Sequence, residues 1–216
     1  MLQPENPLAI PLWINGRAYL TMAPAFLDVR DPRCGTILRR TPMCGRDEAE
    51  TAIEAARAAC GGWSMQSTEA RAALLAAVAD ALAGYGSHFA RLISEESGLD
   101  SDRAGAEVSA GVALLRDPPA SQAAGVYAVI GNAAEPLLAA LRLAVPVLMS
   151  GAVVVVRPSP ETPSALFALA ELTGRCGFPG GVFNILHGGE AALDALRTHA
   201  DLSLLYSPAA SGAGRI

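Results

Sequence analysis

The segments GVYAVI (125–130), AVVVVR (152–157), GVFNIL (181–186) and LSLLY (202–206) decide the fold. Each is a short, nearly continuous apolar run, and between them lie stretches with helical punctuation at 137–149, 163–175 and 190–198. Strands that alternate with helices and are apolar on both faces belong to a parallel sheet covered on both sides, so the expected class is α/β with a Rossmann-like, mostly parallel sheet. Thr162-Pro163 offers a hydroxyl cap and a first-turn proline to the middle helix, and Gly151 closes the helix before it.

Upstream, residues 1–44 read as a small β-ribbon arm. Leu12 to Tyr19 contains an Asn15-Gly16 pair suited to a tight turn, and Ala25–Val29 and Ile37–Met43 flank Asp31-Pro32-Arg33-Cys34-Gly35. Residues 45–116 read as four helices. The first spans Arg46–Cys60 and ends at Gly61-Gly62; the others are capped by Ser67, Ser87 and Ser101, the second of these stopping at Gly98 and the last before Pro118-Pro119. With 125–216 forming the βαβ units, the expectation is one domain over 1–216.

Composition removes several function classes. The 216 residues are 51% hydrophobic and 17% charged, so a packed core is expected rather than a disordered chain. All 16 basic residues are Arg, which excludes Schiff-base chemistry and lysine-dependent phosphate loops, and a net charge of −5 argues against nucleic acid. The longest apolar stretch, Leu137–Val156, is broken by Arg142, Pro146 and Gly151, and reads as a helix and a buried strand rather than a membrane span. The N-terminus lacks the basic start of a secretory signal. Cys34, Cys44, Cys60 and Cys176 fit neither a zinc site nor a redox pair, so no metal is expected and a reducing cytoplasm is the simplest home.

In such a sheet ligands sit at the carboxyl ends of the strands, here Gly131–Pro136, Arg157–Thr162, His187–Glu190 and Ser207–Arg215. None spells G-x-G-x-x-G or a P-loop. His187 lies at this edge and reads as a loop histidine; His88 and His199 read as surface or helix-end residues.

An ordered set of motifs resembles the aldehyde dehydrogenase superfamily, N-terminal cofactor-binding half. The set is Trp13-Ile14-Asn15-Gly16, Asp31-Pro32 with Gly35, a helix ending near Trp63, Glu96-Ser97-Gly98, the 125–130 strand, Arg157-Pro158-Ser159 with Thr162-Pro163, Gly177-x-Pro179-x-Gly181-Val182-x-Asn184, and Gly188. The resemblance implies Gly131, Arg157, Ser159 and Gly188 as remnants of a cofactor site. It also implies chemistry by a cysteine nucleophile and a glutamate base in a separate catalytic domain, which is expected to be absent here.

The departures shape the functional expectation. Where the family carries the oxyanion-holding Asn of a Pro-Trp-Asn-Phe-Pro turn, alignment on Pro136 places Ala134, and Asn132 falls two residues early and reads as a turn residue. Arg157 replaces the family's ribose-binding Lys, which suggests either contact with a 2'-phosphate or a pair with a neighbouring carboxylate. Pro160 stands where an acid often meets the ribose, and Pro208-Ala209-Ala210-Ser211 replaces the pyrophosphate-binding Gly-Ser-Thr-Glu. The short connection from Arg116 to Gly125 omits the family's oligomerisation hairpin.

No catalytic residue is expected, and NAD(P) binding is expected to be absent or weak, with NADP favoured. The reading is therefore a pseudoenzyme: a non-catalytic scaffold or interaction subunit that meets a protein partner or another copy through 202–216, with no nucleic acid and no membrane. The alternatives are the cofactor-binding half of a split or truncated NAD(P)-dependent aldehyde dehydrogenase, or a decayed remnant.

Overall fold

The computed structural model describes residues 7–206. At its centre is a six-stranded sheet in the order β2-β1-β7-β6-β5-β8. Four of these strands, β5 (Val126–Ile130), β6 (Val153–Arg157), β7 (Phe183–Ile185) and β8 (Leu202–Tyr206), run parallel at the positions the apolar runs predict. Every residue of β6 is buried. Two helix layers account for that: α5 (Leu138–Met149) and α6 (Ser164–Arg175) pack on one face, and α1 (Arg46–Ser64) and α7 (Glu190–Thr198) on the other. Outside α5 and α6 lies a further layer of α2 (Thr68–Gly84), α3 (Gly86–Ser97) and α4 (Ser101–Arg116).

The expected ribbon arm is instead divided between two places. β1 (Leu12–Ile14) and β2 (Arg17–Tyr19) form a hairpin across Asn15 and Gly16, both at positive φ, and β1 pairs antiparallel with β7 through Trp13 and Ile185. Only β3 (Phe26–Arg30) and β4 (Ile37–Pro42) make a separate two-stranded ribbon. The indole of Trp13 explains the docking, being 8% exposed and edge-on to Phe167 of α6. The hairpin thus completes the β7 end of the sheet, and β8 is the strand at the opposite end.

Several helix boundaries differ from the sequence reading, each for a local reason. α1 runs through Gly61-Gly62 because Trp63, fully buried and stacked on Phe178, donates its indole N–H to the Leu148 carbonyl at 3.0 Å. Ser67 caps α2 as expected, accepting from the Ala70 amide. Ser87 lies inside α3, whose N-cap is Tyr85, and α4 is capped by Asp100 rather than Ser101, its carboxylate accepting from the Arg103 amide at 2.8 Å. Gly98 ends α3 in the left-handed conformation and Gly151 follows α5 at positive φ, as those glycines predict.

The beginnings of α5 and α6 are supplied from the outer layer. Glu107 of α4, buried, accepts from the Leu137 and Leu138 amides at 2.7 and 2.9 Å. Glu96 of α3, also buried, accepts from the Ser164 amide at 3.0 Å and from its hydroxyl, with Arg39 Nε 3.1 Å away. Thr162, expected to cap α6, is buried with its hydroxyl unbonded to any described group. Burial pushes both carboxyls above the usual carboxylate range, while the bonds they accept pull them back.

A clear contrast follows for Glu107. Glu107→Ala leaves two buried helix amides without an acceptor and is expected to cost about 2–4 kcal/mol. Glu107→Gln keeps the accepting oxygen, sheds the cost of a buried charge, and is expected to be near neutral in urea unfolding at neutral pH.

Candidate functional site

The four parallel strands deliver their carboxyl ends to one edge. At the end of β5, the Gly131 amide donates to the Arg157 carbonyl at 2.9 Å, tying the loop to β6. The loop then turns on Asn132, whose Oδ1 accepts from the amides of Ala134 and Glu135 at 3.0 and 2.9 Å. This is an Asx-type turn, and it engages the Ala134 amide as well as the Asn132 oxygen. Ala134 is exposed and brings only a methyl group. Glu135 pairs with Arg142 of α5.

Arg157 closes β6. It is 8% exposed, and its Nε donates to the Gly188 carbonyl at 3.0 Å, so it neither projects toward solvent as a 2'-phosphate ligand would nor forms a salt bridge with a described carboxylate. Burial lowers its pKa, and Glu190 and Tyr206 oppose that shift. The turn beyond it is held from below: the Ser159 carbonyl accepts from the Thr162 amide, Ser159 Oγ accepts from the Glu161 amide, and the Pro160 carbonyl accepts from Thr41 Oγ1 of β4 at 2.8 Å.

At the end of β7, His187 is 1% exposed and neither ring nitrogen has a hydrogen bond of ordinary geometry. Burial holds its pKa down at about 4; the Pro11 carbonyl opposes this and the Arg157 charge adds to it. It faces Phe167 at 6.5 Å and stays out of solvent, so it offers no accessible base. Gly188 follows at φ +152, where an added Cβ would sit 2.9 Å from the Cys44 carbonyl oxygen and 2.5 Å from the Ala192 Cβ, so this glycine serves packing of the chain itself.

The structure therefore brings Gly131, Arg157, Ser159 and Gly188 to one edge, with Arg157 and Gly188 bonded to each other. As a ribose site this set does not fit a dinucleotide, since its cation is turned inward and a proline carbonyl taken by Thr41 stands at the acid's place. The residues Pro208–Ser211 lie outside the described residues.

At two of the four cysteines burial works against the thiolate. Cys44 is buried, with a pKa pushed up to about 12 mainly by burial, and burial also raises Cys176. No group of three or more His, Cys, Asp or Glu among the described residues is placed to hold a metal ion.

The fold is a Rossmann-like α/β domain, with strand order β7-β6-β5-β8 in its parallel part. The sequence pattern of the aldehyde dehydrogenase family matches residues 20–118 and 119–211, and the chain belongs to that family. Among curated relatives it is 29% identical to 3,6-anhydro-alpha-L-galactose dehydrogenase of Streptomyces coelicolor, over 94% of this chain and 46% of the relative. It is 32% identical to N-succinylglutamate 5-semialdehyde dehydrogenase of Caulobacter, over 85% of this chain and 42% of the relative. Lactaldehyde dehydrogenase from Escherichia coli superposes with a TM-score of 0.84 at 25% identity, covering 92% of this chain and 47% of that one. An NADP-dependent enzyme from E. coli gives 0.85 at 28% identity, covering 91% and 46%. The chain thus spans about half the length of the relatives it matches.

Proposed function

We propose that this chain is a non-catalytic aldehyde dehydrogenase family domain that works through protein contact at the β8 end of its sheet. The observation that carries the reading is the loop after β5. In the resemblance this loop supplies a side-chain amide to the developing oxyanion, and here the position is Ala134, whose own backbone amide is spent on Asn132. Losing one oxyanion donor typically lowers turnover by about 10²–10³-fold. A catalytic half supplied by any other polypeptide would still meet that deficit.

The cofactor edge supports the same reading. Arg157 is bonded to Gly188 rather than offered to a ligand, so dinucleotide affinity is expected to be weak and NADP is expected to have no advantage over NAD. Contact through 202–206 is supported by topology: the N-terminal hairpin, a possible cover for this edge, docks on β7 instead, leaving β8 paired only with β5 among the described residues. Residues 207–216, the rest of the expected contact, lie outside the described residues. Free cysteines, one of them exposed, suit a reducing cytoplasm.

Assay of the purified chain for aldehyde-dependent reduction of NAD and NADP, with titration of both dinucleotides, tests this. No turnover is expected, and Arg157→Ala is expected to leave the residual affinity unchanged. Turnover that disappears when one of the four cysteines is replaced would overturn the non-catalytic reading.

A further inference from the structure

Residues 26–42 differ from the rest of the fold in what holds them. Among the described residues, no side chain of β3 or β4 enters the hydrophobic core that joins the sheet to its helices, and Val29, although fully buried, lies outside that core. The ribbon is fastened by polar groups instead. The guanidinium of Arg39 on β4 is 3.3 Å from Glu95 and 3.1 Å from Glu96 of α3, and it donates to the Ser164 hydroxyl at the head of α6 at 3.0 Å. Thr41 Oγ1 donates to the Pro160 carbonyl at 2.8 Å. At the far turn Arg33 donates to Ser94 Oγ of α3 at 3.3 Å, and Pro32 lies on Gly98. Two backbone bonds complete the attachment, from the Arg40 amide to the Leu8 carbonyl at 3.0 Å and from the Ile10 amide to the Arg40 carbonyl at 2.9 Å. Both ends of the ribbon return to one place. The Met43 amide donates to the Ala25 carbonyl at 2.9 Å, and Glu48 in the first turn of α1 accepts from Thr21 Oγ1 at 2.6 Å and from the Gly45 amide at 3.0 Å.

We propose that residues 26–42 form a strap that opens as one unit about this root while the sheet and its helices stay folded, and that Arg39 is its latch. Global unfolding must expose the hydrophobic core, whereas opening the strap breaks a short set of polar contacts and uncovers little apolar surface. A detached two-stranded ribbon is marginal in water, so its own ladder is lost together with the contacts that hold it. Arg39 is the latch because its one side chain joins β4 to both α3 and α6, while Thr41 and Arg33 each reach a single element. Closed, the strap fixes the turn that carries Ser159 and Pro160 at the carboxyl edge of the sheet, and sits against the Glu96–Ser164 pair at the head of α6. Open, it releases the Pro160 carbonyl and removes the cation beside Glu96, so the freedom of that turn follows the state of the strap.

The test uses the full chain. In native-state hydrogen exchange the amides of β3 and β4 are expected to share one opening that is nearly insensitive to low urea, while those of β5 and β6 exchange through a steeply urea-dependent one. Thiol labelling gives a second reading. Val29→Cys places a thiol where solvent does not reach it in the closed strap, and Cys44, buried in the core beyond the root, is the internal reference. Peptide mapping is expected to find position 29 labelled about tenfold faster than Cys44, or more. Adding Arg39→Met is expected to speed labelling at position 29, and exchange across β3 and β4, about tenfold, because opening no longer breaks the contacts of the guanidinium.

Labelling at position 29 as slow as at Cys44, or β3 and β4 amides that exchange only together with those of β5 and β6, means that the ribbon opens only with the whole fold and overturns the proposal. Separate opening at a rate that Arg39→Met leaves unchanged overturns the latch. If Val29→Cys does not fold, the urea dependence of exchange in the unaltered chain, and its change in Arg39→Met, decide both points.

Discussion

Gly181→Ala is expected to remove about 4 kcal/mol or more of stability and to leave little soluble folded protein. Gly181 precedes β7 at φ +86, a conformation that costs an L-residue roughly 1–2 kcal/mol before any contact is considered. An added Cβ would lie 2.3 Å from the Ala55 carbonyl oxygen, 3.0 Å from its carbon and 2.9 Å from the Ala59 Cβ, all on α1. Two of these are backbone atoms of a helix that spans β5, β6 and β7, so relief requires α1 to move off the sheet. The Gly181 carbonyl also accepts from Asn184 Nδ2 at 2.7 Å, and Asn184 Oδ1 accepts from the Asn15 amide, so a shift here reaches the β1–β2 hairpin. Thermal unfolding and soluble yield check the prediction. Gly61→Ala, where an added Cβ meets nothing within 4 Å, is the matched control and is expected to be neutral or slightly stabilising.

The elements legible in the sequence are those whose pattern is local. β5 and β6 read directly because strands buried on both faces leave a nearly uninterrupted apolar run, β8 carries a similar run although none of its residues is fully buried, and Asn15-Gly16 marked a turn because positive φ at both positions favours such residues. What escaped depends on contacts between distant segments. The β1–β2 hairpin docks on β7 through a single paired position, Trp13 with Ile185, which leaves no periodic trace. The caps of α5 and α6 come from Glu107 and Glu96, about 30 and 68 residues upstream, so the Thr162 hydroxyl beside the start of α6 was a misleading guide.

The candidate edge divides in the same way. Ala134 was readable as a missing donor because absence of a side-chain amide needs no structure to establish. The inward turn of Arg157 was not, because its partner is the Gly188 carbonyl, and a backbone acceptor carries no signature in sequence. The signal available beforehand was indirect: a strand of four consecutive valines before Arg157 implies burial at its end, and a buried guanidinium must find acceptors. That buried cation and the engaged Ala134 amide have one thing in common: each polar group is bonded to the chain's own framework, Arg157 Nε to the Gly188 carbonyl and the Ala134 amide to Asn132.

His187 sets a large expected pH effect on the acid side. In the unfolded chain its imidazole titrates near the ordinary value of 6.5, whereas in the fold it stays neutral down to about 4. Between those values the unfolded state binds a proton that the native state refuses, so stability is complete above the unfolded value and is lost as pH falls toward the folded one. A shift of this size corresponds to about 3 kcal/mol across the window. Glu96 and Glu107 act in the opposite sense, because burial raises their pKa values and the native state keeps their protons to higher pH than the unfolded chain does. Their contribution is greatest in acid and fades as pH rises through their folded pKa values, which partly masks the histidine in the intact protein. Comparison with His187→Leu isolates it, since that variant retains both carboxylates. At neutral pH the substitution removes a buried ring with no ordinary hydrogen bond and is expected to be neutral or mildly stabilising. Below pH 6 the variant is expected to pull ahead progressively, with the gap in urea unfolding free energy widening by about 3 kcal/mol by pH 4. Parallel stability curves for the two proteins over that range would show that His187 takes up its proton in the fold as readily as in the unfolded chain, and so that the β7 edge admits water.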